Sequence, residues 1–123
     1  MSKALRVPDY LGHILQAMER IDRYTAGLDE LGFLGNELVQ DAVIRNIEVI
    51  GEASDNIQRA DSVFAARHSD IPWQVMYTMR NRVSHGYDTI DLEIVWQTIQ
   101  HDLPGLRAQI QRALADISGQ DLR

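Results

Sequence analysis

Apolar residues recur at three- and four-residue steps along almost the whole chain, and no stretch carries the two-residue alternation of a strand. From Pro8 onward, Leu11, Leu15, Met18, Ile21, Thr25 and Leu28 share one side, which predicts an amphipathic helix of about five turns. Pro8 suits its first turn, where a missing N–H costs nothing. Gly27, Gly32 and Gly35 predict a connecting loop, and Asn36 predicts the N-cap of a second helix. That helix, about Glu37 to Arg59, carries Val39, Val43, Asn46, Ile50, Ala53 and Ile57 as one stripe, widened by Ile47 and Ser54. Its opposite stripe is charged throughout, and Asp41–Arg45 and Asp55–Arg59 are favourable i,i+4 pairs.

A short helix is expected around Ser62–Arg67. Asp70-Ile71-Pro72-Trp73 then reads as a fresh start, with Pro72 in the first turn and Val75, Met76 and Met79 directed inward. Gly86 is a natural stop for this third main helix. Asp91 is placed to cap a fourth, whose Leu92, Val95, Trp96 and Ile99 face inward. Pro104 either bends that helix or restarts it as a last one, with Leu106, Ile110, Leu114 and Ile117 on one face. The expected architecture is all-α, a four- to five-helix up-and-down bundle. Residues 1–123 fit one domain, with a core of about 9–117.

Composition narrows the setting. Cysteine is absent, so disulfides and thiolate metal sites are excluded and a reducing cytoplasm is the expected location. No apolar run approaches the roughly 20 residues that span a bilayer, and the first residues do not read as a secretory signal. The net charge of −6 argues against a broad, non-specific nucleic-acid surface. A local positive patch suffices to grip one or two phosphates, and an acidic remainder suits a partner with a basic face.

Candidate chemistry concentrates in Arg80-Asn81-Arg82-Val83-Ser84-His85-Gly86-Tyr87. A guanidinium binds phosphate oxygens through a rigid fork, and an imidazole carries a proton near neutral pH. Together they are what in-line attack on a phosphodiester needs. The plain alternative is a pair of helix-end cations favoured by the helix dipole, beside a packed tyrosine. At about 100° per residue, Arg80 and His85 stand roughly 140° apart around a helix. Either the helix breaks between them or a second subunit completes the site. Asn46 has two readings, a buried helix–helix hydrogen bond or a site-facing amide. The charged stripe Glu48, Glu52 and Asp55 reads as a solvated, ion-paired face, and His13, His68 and His101 read as surface residues without ligand spacing. Trp73 and Trp96 read as core.

The spacing R-x4-H-x-Y resembles the signature of HEPN domains, in particular the HepT toxins of prokaryotic toxin–antitoxin pairs. Three more segments resemble the same family: Asp41 to Ala53 on the second helix, Ile71-Pro72-Trp73, and Val95-Trp96 with Asp102-Leu103-Pro104. The resemblance implies a helical bundle that homodimerises with its two signatures at the interface, and metal-independent endoribonuclease activity without a cofactor. Arg80 and His85 would be the catalytic pair; by residue chemistry rather than by the resemblance, Arg82 suits a flanking phosphate, Asn81 the orientation of substrate or His85, and Asn46 a supporting role. The resemblance also implies a partner, a minimal nucleotidyltransferase antitoxin that adds AMP to the signature tyrosine, here Tyr87. The RNA substrate would be tRNA or mRNA. Two other readings remain open: a non-catalytic binding module, or an accessory subunit of the nucleotidyltransferase.

Overall fold

A computed structural model describes residues 6–83 and 91–121, with side chains throughout except at 80–83 and 118–121. Among these residues every regular element is helical: α1 (Val7–Thr25), α2 (Glu30–Leu34), α3 (Glu37–Ala60), α4 (Ser62–Arg67), α5 (Trp73–Val83), α6 (Leu92–Gln97), a π-helical turn (Thr98–Asp102) and α7 (Leu103–Asp121). α3 is the central helix, packed along both α1 and α5, while α7 closes on α1. The long elements form an all-α bundle, as the periodicity predicts.

The polar residues that the sequence marks as helix starts do that work. The Asn36 side chain accepts a hydrogen bond from the Val39 N–H at 3.1 Å, and Asp91 accepts from the N–H groups of Glu93 and Ile94. Each satisfies donors that a helix leaves unpaired in its first turn. The core is continuous: Leu11, Ile14, Met18 and Ile21 of α1 meet Val43, Ile47, Ile50 and Ile57 of α3, with Met76 and Ile110 from the later helices. Trp73 and Trp96 belong to it, Trp96 lying against Phe33 with ring centroids 5.3 Å apart.

Four local expectations change. The glycine-punctuated loop contains α2, started by Asp29, whose carboxylate accepts from the Gly32 N–H. Gln40 holds that helix in place by donating to the carbonyls of Phe33 and Leu34, both at 2.9 Å. Arg45 reaches Glu48 at 3.8 Å rather than Asp41, whereas Arg59–Asp55 pairs as expected at 3.0 Å. Val75 is 62% exposed, because the buried arc of α5 runs through Trp73, Met76 and Met79 and leaves Val75 about 100° to one side. Finally, Pro104 lies inside α7, which follows α6 and the π-turn without a break. The helix passes through it by widening to a π-turn at Thr98–Asp102, and the Leu103 N–H bonds the Thr98 carbonyl five residues back.

Candidate functional site

Helix α5 sets the geometry of the signature. It starts where the chain turns after α4, held there by the Trp73 indole N–H on the Ala65 carbonyl at 3.2 Å and by the Phe64 ring. From that anchor it runs back along α3. Its last turns carry the backbone of Arg80, Asn81 and Arg82, while His85 and Tyr87 lie outside the described residues.

Register separates the two arginines. Seven residues return a helix to within about 20°, so Arg80 stands at the angular position of Trp73, and Arg82 at that of Val75. Trp73 is buried and Val75 exposed. The backbone positions of Arg80 and Arg82 therefore lie on opposed sides of α5. Asn81 follows Gln74, which is exposed.

Asn46 is the polar feature of the core. It is 5% exposed on α3, and its Nδ2 donates back to the Ala42 carbonyl at 2.8 Å. The other buried polar side chains of the bundle are engaged: Ser54 and Thr25 donate to carbonyls four residues back, and Gln40 holds α2. Asn46 Oδ1 is different, since no donor among the described residues reaches it. A buried acceptor left this way costs about 1–3 kcal/mol, which makes its presence among isoleucines informative. Of the two readings of Asn46, the donor half makes a local helix bond and the acceptor half stays available.

The remaining histidines divide. His13 and His101 are exposed, while His68 is half-buried against the Phe64 ring at 4.4 Å. Among the described residues no three carboxylate or imidazole groups converge as a metal site would require. Sequence reasoning missed two clefts that flank the π-turn, one beside α5 and one beside α2. The signal for them was present only indirectly, as Pro104 within an otherwise helical pattern.

Comparison with known proteins gives one family. The model described as "Ribonuclease HepT-like" matches residues 14–113. A protein named "Probable ribonuclease HepT" from Thermococcus cleftensis is 38% identical over 104 residues, covering 85% of this chain and 92% of that protein. A protein of Caldanaerobacter subterraneus subsp. tengcongensis, named as a candidate RNase, is 32% identical over 105 residues, covering 85% of this chain and 91% of its own length. No solved structure matches.

Proposed function

Because the chain belongs to the HepT-like family, we propose that it is an endoribonuclease whose active site is built on Arg80 and His85. The observation that carries this reading is the extent of the family match, residues 14–113, which takes in all of α3 and α5 together with the intact Arg80-x4-His85-x-Tyr87 spacing.

The chemistry follows from the residue types. An imidazole removes the proton of a ribose 2′-hydroxyl, whose oxygen attacks the adjacent phosphorus. The P–O5′ bond breaks, and the leaving oxygen takes a proton, giving a 2′,3′-cyclic phosphate and a 5′-hydroxyl. The Arg80 guanidinium stabilises the charge that builds on the phosphorane oxygens, a role its fork geometry suits. No metal is needed for any of these steps. Arg82 and Asn81 hold flanking parts of the RNA, and Asn46 offers its free Oδ1 to orient a donor at the site.

The site is composite, formed where two copies of the chain meet about a two-fold axis. The support is angular: on a helix continued past Val83, Arg80 and His85 would stand roughly 140° apart, and a second copy would bring the complementary half. Tyr87 is the control point. AMP on its phenol, added by a nucleotidyltransferase antitoxin, places a phosphate and a bulky nucleoside where an RNA phosphate must sit, so repulsion and steric block act together.

The test is cleavage of total tRNA and mRNA in EDTA by the protein purified without a partner, beside Arg80→Ala and His85→Ala. Cleavage by the wild type that both substitutions abolish is the expected result. A folded, unmodified protein that leaves RNA intact would overturn the nuclease reading in favour of a binding module.

A further inference from the structure

The π-turn stands between two clefts that share His101 and Asp102 as their common rim. On one side a groove of about 360 Å³ runs between α5 and α7, and Val75, Met76, Met79 and Leu106 make it apolar. On the other an open cleft of about 430 Å³ is bordered by four carboxylates, Glu30, Asp91, Glu93 and Asp102. No lysine or arginine is among the described residues that line either cleft. Apolar side chains stand out of this acidic surface: Val75 is 62% exposed and Ile94 40%.

We propose that this surface docks a basic amphipathic helix of a partner protein, with its apolar side chains in the α5–α7 groove and its lysines or arginines against the carboxylates. Charge decides among the possible occupants. Four carboxylates repel RNA and anionic lipid headgroups alike. A second copy meeting this face about a two-fold axis sets the same carboxylates against each other, since such an interface is self-paired. A cationic partner gains from them. The whole chain adds to the field, with 18 acidic against 12 basic residues. Size also fits: from Pro72 to Met79 the groove follows α5 for about 10 Å, some two turns of a docked helix, which anchors through residues three and four apart. The π-turn has a part in this. By widening the backbone ahead of Pro104 it puts two consecutive residues, His101 and Asp102, on the ridge between groove and carboxylates.

The probe is a synthetic amphipathic peptide of leucine and lysine, roughly 18 residues long, followed by fluorescence anisotropy with the full chain; a leucine–glutamate peptide is its control. Val75→Glu charges the groove, and Glu93→Lys with Asp102→Lys reverses the rim. Asp41→Lys with Glu52→Lys makes the same change of net charge on the outer face of α3, where both residues are exposed. Circular dichroism checks that each variant folds, and Glu93→Gln with Asp102→Asn replaces the reversal if it does not. The expected result is binding of the lysine peptide only, weakened about tenfold or more by the groove and rim variants and unchanged by the α3 pair. RNA cleavage by the rim variant stays at the wild-type level, which keeps this result separate from the nuclease reading. Absence of binding, equal loss in the α3 pair, or indifference to Val75→Glu would overturn the proposal. So would displacement of the peptide by RNA, or a wild-type dimer that Val75→Glu dissociates, which would make the groove a contact between copies.

Discussion

At Asn46 stability and the proposed function can be told apart at a single atom. Its side chain has the branched shape of leucine, so Asn46→Leu keeps four side-chain heavy atoms while removing a buried oxygen that no donor among the described residues reaches. Replacing an unsatisfied polar group by an apolar one of the same shape is neutral or stabilising, by about 1–2 kcal/mol, although the lost bond to the Ala42 carbonyl offsets part of that. We expect the urea midpoint of Asn46→Leu to equal or exceed that of the wild type, while RNA cleavage falls. A midpoint that drops together with activity would make Asn46 a packing residue and nothing more. The stripe of α3 revealed that Asn46 sits among apolar neighbours. It could not reveal which half of the amide is satisfied, because the 2.8 Å back-bond to Ala42 depends on a rotamer and not on a pattern. The same limit explains Val75: Trp73, Val75, Met76 and Met79 allow two inward arcs, and only packing against α3 selects Trp73, Met76 and Met79.

At the scale of the element, starts were legible and interruptions were not. Asn36 and Asp91 cap as their residue types demand, since a short side-chain acceptor before an apolar period has few other uses. Asn36→Ala removes the acceptor at the head of the central helix and is expected to cost about 1 kcal/mol in urea unfolding, with no change in helical content. A cost near zero would mean that packing alone fixes the start of α3. Helix α2 escaped the sequence reading because its five residues include a glycine and sit between two more. Its stability comes from the Asp29 cap and from Gln40 across the junction, neither of which is local to its own pattern. The π-turn escaped for a related reason. A proline within a helix demands a lost hydrogen bond, but whether the chain kinks, stops or widens depends on the neighbours that hold both sides in line. Here the chain widens: the Leu103 N–H bonds the Thr98 carbonyl, and Ile99 within the turn and Leu103 just after it are both buried.

For the whole molecule, the arrangement of the signature becomes an argument about subunits. The spacing Arg80-x4-His85 was legible at once, and the family match over residues 14–113 includes it. What spacing could not give is the angular consequence of burial along α5. Arg80 occupies the register of buried Trp73, whereas Arg82 occupies that of exposed Val75, so the two backbone positions lie on opposed sides of α5. If each active site takes Arg80 from one copy and His85 from the other, two inactive variants can repair each other. A heterodimer of Arg80→Ala with His85→Ala holds one site with both groups lost and one site with both intact. Random exchange makes half of the dimers mixed, so activity should return to about a quarter of the wild-type level. Mixing the two purified variants, allowing subunit exchange, and measuring cleavage against each variant alone checks this. Recovery means that the catalytic pair spans the interface, which a helix continued from Arg80 to His85, with roughly 140° between the two positions, would require. No recovery despite demonstrated exchange means that one copy supplies both groups, which requires the chain to leave the α5 register between Arg80 and His85.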